Sequence, residues 1–171
     1  MSSKSLKTLS GKWHMNQSLS SDPSPVLELQ GFNILIRKTA AKAPITLSVT
    51  QSKSKEIYIT QSTTASIPAI KEEWYPEDYE WREQKDTFLG KVKSRSRWMR
   101  VGDLEDKDEF LVQGLGDGEE VVEAEVQALE GTEWRARQVW CFEEERFVRR
   151  VVTTGKDGGR VETRLVYDFE G

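Results

Sequence analysis

Arg137 and Arg164 are the residues whose chemistry is most open to interpretation in this chain of 171 residues. Each sits in a late segment with substantially apolar neighbours, and a guanidinium turned into an interior needs an acidic or water-linked partner. So placed, it is the side chain best shaped to clamp a carboxylate. Turned outward, either is an ordinary surface charge, and alternation alone leaves both orientations open. Other reactive types offer less. His14 is the only histidine, with no local partner, so a solvated or packed role outweighs that of a base. Cys141 is the only cysteine, which excludes an internal disulfide and a cysteine-based zinc site. Carboxylates crowd into Glu119-Glu120 and Glu143-Glu144-Glu145, the pattern of solvated turns, and nothing selects a catalytic pair. Gly116-Asp117-Gly118 superficially suggests a phosphate loop, but no lysine, serine or helix start follows, so a hairpin turn is expected. No metal or cofactor is expected.

The element that must position a site is clearest from Glu56 to Ile67, the cleanest two-residue alternation in the chain. Ile57, Ile59, Ala65 and Ile67 share a face with Gln61 and Thr63. An otherwise apolar face thus carries two hydrogen-bonding groups in its middle, and buried groups of that kind need partners. Either this is an edge strand with a solvated centre, or it lines a wet cavity that holds a ligand. A second alternation sets Lys91, Lys93, Arg95 and Arg97 against Val92, Ser94, Ser96 and Trp98. Basic outside and Trp98 inside is the economical assignment. Such a stripe could make transient contact with an anionic membrane surface or an acidic partner, and more often faces water.

The length suits one core, so a single domain over 1–171 is expected, as a monomer. A net charge of −4 argues against broad affinity for nucleic acid phosphates. No run approaches the roughly 18 apolar residues of a membrane span. The charged opening Met1 to Lys7 is followed by no apolar block, so a cytoplasmic protein is expected.

In chain order, Leu6 to Met15 reads as a first strand carrying Trp13. Ser20-Ser21-Asp22-Pro23 offers a cap and an N-terminal proline, and Val26 to Lys42 changes to three- and four-residue spacing. That predicts two short helices hinged at Gly31, a unit over about 23–42. After Pro44 the spacing returns to two and stays there. Predicted strands are Ile45–Val49, Glu56–Ile67, Ala69–Trp74, Phe88–Val101, Phe110–Leu115, Val121–Leu129, Glu133–Phe142, Phe147–Thr154 and Arg160–Phe169, with Tyr75 to Trp81 a loop or irregular edge. So many strands joined by tight turns favour a closed antiparallel barrel, which leaves no exposed edges.

Several short pieces, in order, resemble the intracellular fatty-acid-binding and retinoid-binding proteins, lipocalin-like members of the calycin superfamily. They are Gly11-Lys12-Trp13, Asp22, Gly31-Phe32, Arg37-Lys38, Tyr58 to Thr64, Lys91-Val92-Lys93-Ser94, Leu111-Val112-Gln113 before Asp117-Gly118, and Thr163-Arg164-Leu165. The resemblance implies a ten-stranded antiparallel barrel with a helix-turn-helix lid, holding one hydrophobic or amphiphilic ligand in a partly hydrated cavity. It implies Gln61, Thr63 and Ala65 on the cavity wall, Val92, Ser94 and Trp98 inside, and Phe32, Leu35 and Ile36 on the lid. Arg164 looks like the family's carboxylate-binding arginine and Arg137 a second one. Tyr167, three positions after Arg164 where the family has an inward tyrosine two positions on, is then expected to face away. Family members are shorter, and the excess here lies around 74–81 and 100–129. The function so implied is an intracellular carrier of a fatty acid, retinoid-like, polyketide-like or terpenoid-like molecule. The alternative is an enzyme on the same barrel, an isomerase, dehydratase or cyclase/pericyclase of a natural-product pathway, with His14, Tyr58 and acids of the excess segments as acid–base candidates. A protein-binding module would instead show an occluded barrel.

Overall fold

A computed structural model of the protein describes residues 3–53, 55–63 and 67–171. Ten antiparallel strands form one sheet: β1 Gly11–Met15, β2 Thr46–Gln51, β3 Ile57–Ser62, β4 Ile70–Trp74, β5 Arg82–Asp86, β6 Gly90–Arg100, β7 Glu120–Ala128, β8 Trp134–Glu143, β9 Arg146–Gly155 and β10 Arg160–Phe169. Their order is β4-β3-β2-β1-β10-β9-β8-β7-β6-β5. The sheet curls into a nearly closed barrel whose seam lies between β4 and β5, where Gln84 Nε2 donates to the Lys71 carbonyl at 2.6 Å.

Helices α1 (Ser24–Leu29) and α2 (Ile34–Lys42) roof one end. Gly31 joins them at φ +92°, and a Cβ there would collide with Thr132 of the β7–β8 turn, so both the bend and its seating require glycine. Asn33 caps α2 by accepting from the Ile36 amide at 3.0 Å. Phe32 stacks on Phe88 with centroids 4.4 Å apart, tying the roof to the β5–β6 turn.

Two expectations fail here for physical reasons, and one strand lies where the sequence pattern predicts no element. The first strand starts at Gly11; Leu6 and Leu9 are instead a buried plug, with Trp13 Nε1 donating to the Leu9 carbonyl at 2.8 Å. Arg82–Asp86, too charged to read as a strand, is β5 because it completes β6's hydrogen-bonding edge. Phe110–Leu115 is not a strand: Glu109–Val112 forms a helical turn, α3, with Asp108 accepting from the Phe110 and Leu111 amides. A capping carboxylate and one-sided burial override the weak alternation there.

The segment from Val101 to Glu119 packs on the outside of the barrel. Leu104 and Leu111 bury against Val121, Val139, Cys141, Val148 and Val152, the outward residues of β7 to β9, and make a second apolar core. The Cys141 thiol is pushed up to about 12 by this burial, so it packs as an inert small apolar group. Sheet residues of opposite parity thus serve two cores, one inside the barrel and one beneath the insertion.

Candidate functional site

Between the roof and a floor of aromatic rings lies a cavity of about 780 Å³. The floor comes from inward positions of β1, β4, β8, β9 and β10: Trp74 meets Trp140 edge-on at 5.2 Å, Trp140 meets Phe147 at 5.9 Å, and Phe147 meets Tyr167 at 5.6 Å. The walls are chiefly apolar, including Met15, Ile45, Leu89, Val126, Trp134 and Leu165. The polar break expected from β3 is present, since Gln61 and Thr63 face the cavity beside buried Ile57 and Ile59.

A charged network crosses the interior. Arg149 of β9 reaches Glu72 of β4 through both terminal nitrogens, at 3.1 and 2.7 Å, a bidentate pair spanning the barrel. The second nitrogen also donates to Gln138 Oε1 at 3.0 Å, and that oxygen accepts from Trp140 Nε1 at 2.9 Å. Glu72 in turn accepts from Trp74 Nε1 at 3.2 Å. Burial works against the Arg149 charge, but the adjacent Glu72 carboxylate outweighs it and raises the pKa, so the guanidinium stays ionised. Burial pushes the Tyr167 phenol up to about 12, with Arg149 opposing, so it is neutral at physiological pH.

The chemical consequence is selectivity for charge. An interior arginine already gripped on both nitrogens by a carboxylate offers no net positive charge to a second one. A ligand carboxylate would enter as a buried surplus anion, which is costly in an apolar interior. A neutral, mostly apolar molecule with a few hydrogen-bonding groups fits this cavity.

The structure sorts the sequence-based site residues clearly. Gln61, Thr63, Val92 and Ser94 lie on the cavity wall, while Ala65 falls outside the described residues. Trp98 points inward but packs in the barrel's apolar cluster away from the cavity wall. Phe32 pins the roof to Phe88; Leu35 is 72% exposed and Ile36 only partly buried, so neither reaches the cavity, because α2 turns that face to solvent.

Both expected arginines point outward. Arg164 shares its parity with Val166, donates to the Leu19 carbonyl at 3.0 Å and pairs with Glu143. Arg137 pairs with Glu123, itself 2% exposed, and holds the Glu105 and Asp106 carbonyls of the insertion. Tyr167, expected to face away, faces in with Thr163 and Leu165, because strand parity runs through them without a bulge. His14 lies outside the barrel against Thr46, and Tyr58 is likewise exposed, so neither candidate acid or base reaches the interior. The interior polar groups passed over include Arg149, Glu72 and Gln138. Each had the signal that exposed Gln61: a polar residue in phase with apolar ones, as in Phe147-Arg149-Val151, Ile70-Glu72-Trp74 and Ala136-Gln138-Trp140.

A nearly closed ten-stranded barrel with a two-helix roof and an internal cavity defines the fold of the fatty-acid-binding and retinoid-binding proteins, a class of ligand-binding barrels. Lipid binding protein 8 of Caenorhabditis elegans superposes with a TM-score of 0.66 at 14% identity, over 94% of each chain. A Schistosoma mansoni fatty acid binding protein in complex with arachidonic acid gives 0.63 at 14%, over 98% of this chain and all of that one. Human cRBP IV gives 0.59 at 12%, over 95% and 98%. No protein-family model matches the chain. In sequence, the chain is 26% identical over 176 aligned positions to the protein named pericyclase pydY from Acremonium sp., covering 96% of this chain and 93% of that protein.

Proposed function

We propose that the barrel binds a neutral, largely apolar and polyunsaturated small molecule and acts on it as a pericyclase, folding the chain so that its reacting carbons meet. The observation that carries this reading is the Arg149–Glu72 pair, which cancels the interior charge a fatty acid would need and leaves a shaped apolar chamber. The end-to-end likeness to a protein named as a pericyclase supports it. A pericyclic ring closure shifts electron pairs around a cyclic array of atoms; nothing enters or leaves, and no proton needs to move. A cavity can speed such a step by confinement and orientation, holding reacting atoms at near-attack separation.

A second reading, a non-catalytic carrier of the same kind of molecule, draws on the names of the structural neighbours, which include fatty acid binding and transport. One assay separates the two. The purified protein is incubated with linear neutral polyenes bearing a conjugated carbonyl, and products are followed by chiral chromatography and mass spectrometry. The pericyclase reading expects accelerated formation of a cyclic isomer of unchanged mass, enriched in one stereoisomer. Tight binding with ring closure at the uncatalysed rate would leave the carrier, and no binding at all would remove both.

A further inference from the structure

The side-chain amide of Gln138 is held in one orientation by its neighbours. Its two protein partners, Trp140 Nε1 at 2.9 Å and Arg149 at 3.0 Å, can only donate, so the atom they share must be the carbonyl oxygen Oε1. The Nε2 group is therefore turned the other way. Gln138 is 8% exposed, lines the cavity, and donates to no acceptor among the described residues. This oriented donor, with neither proton accepted by a described residue, is not sealed off and lies at the cavity wall, so a ligand that covers it must accept from it or leave it unsatisfied. Trp140 and Arg149 keep the orientation fixed, since turning the amide would set Nε2 against two donors.

We propose that Gln138 recognises a carbonyl oxygen of the bound molecule, donating a hydrogen bond from Nε2 at the end of the Trp140–Gln138–Arg149–Glu72 chain. The substrate class this names is a neutral conjugated ketone, amide or ester rather than a hydrocarbon or an acid. The inference rests on the proposed neutral-ligand function and deepens it. A hydrogen bond at that oxygen draws electron density from a conjugated chain, which activates its electron-poor end for ring closure without moving a proton. Relayed polarisation from the Arg149 charge makes Nε2 a better donor than a solvated amide.

The test uses two fluorescent neutral probes: prodan, a naphthyl ketone, and diphenylhexatriene, a hydrocarbon with no acceptor. Gln138→Glu keeps an oxygen for Trp140 and Arg149 but removes the donor; Gln138→Leu removes both. Both variants should bind prodan about five- to tenfold more weakly, the worth of one buried neutral hydrogen bond. Bound prodan should emit further to the blue, as an unbonded ketone does, while diphenylhexatriene affinity stays at the wild-type value. Unchanged prodan binding and emission in both variants would overturn the role of Gln138 alone, as would equal losses of both probes, which would mark a purely structural residue. If neither probe enters the wild-type barrel, the neutral-ligand function falls and this inference with it.

Discussion

Arg149 and Arg150 are neighbours in the chain, each 4% exposed, and they point to opposite sides of the same strand. Arg150 faces the insertion, where it donates to the Phe110 and Gln113 carbonyls and pairs with Glu143 at 3.0 Å. Arg149 faces the cavity and is bound by Glu72 and Gln138. Outside, a buried guanidinium staples the segment between β6 and β7 by satisfying backbone carbonyls of its helical turn. Inside, the same group is neutralised by one side chain and orients another whose donor remains unused. Burial and ion pairing alone do not distinguish a structural arginine from one that shapes a site; what remains unsatisfied at the end of its network does. The insertion therefore reads as reinforcement of the β7–β9 wall, and the interior as the place of function.

Perturbing one face without the other tests this division, and the largest effect is expected from the outer core. Leu111 is 1% exposed at the centre of the insertion. Leu111→Ala should cost about 2–5 kcal/mol in denaturant unfolding, the range for a large-to-small change in a packed core. It should leave the affinity of a neutral probe for the folded protein within about twofold, since Leu111 belongs to the outer core and shares no cluster with the cavity-lining residues. A matching loss of probe affinity would show that the insertion shapes the cavity.

Asp108 provides a smaller and pH-dependent lever. It caps α3 and pairs with Arg160 at 2.8 Å, and the Arg160 hydrogen bond holds its carboxyl below the usual carboxylate range. Because the folded-state pKa is the lower one, the stabilisation is fully present above the unfolded value of about 3.9 and is lost as pH falls through the folded value. Asp108→Ala should cost about 1 kcal/mol at neutral pH, as the loss of a helix cap does. The variant should also lose part of the wild type's fall in stability below about pH 4. A pH profile parallel to wild type would place the acid sensitivity elsewhere.

The smallest effect is expected at Arg164. Its side chain is about a third exposed and pairs with a similarly exposed Glu143, an arrangement worth about 0–1 kcal/mol. Arg164→Ala should leave ligand affinity unchanged in a fluorescence titration. A tenfold or greater loss would return this residue to the site.

The fold was largely legible because alternation and turn chemistry act locally. Gly31 between two sets of helical spacing marked the roof, and the Gln61 and Thr63 interruption in an apolar face left open either a solvated edge or a cavity wall, of which the structure shows the second. β5 was not legible, because Arg82, Glu83, Lys85 and Asp86 owe their strand to the edge of β6 rather than to their own preferences. α3 was hidden because its apolar residues face the outer side of a sheet whose second core cannot be foreseen without the barrel. At the site, the Thr163-Arg164-Leu165 resemblance implied an inward Arg164, one residue out of phase with the inward face. Parity decides the matter, since Leu165 and Tyr167 share the inward face and Arg164 cannot join them. Arg149 lay one strand away in the sheet, with the same in-phase signature as Gln61.

The neutralised interior is tested most directly by comparing a fatty acid with its own methyl ester. Isothermal titration calorimetry on the wild-type protein should show the ester binding about tenfold or more tightly than the acid at neutral pH, the difference of one buried uncompensated charge after screening. Neither affinity should depend on Arg164. Tighter binding of the acid, lost on substituting Arg149→Met, would contradict this account, because it would mean that Glu72 yields its arginine to an incoming carboxylate.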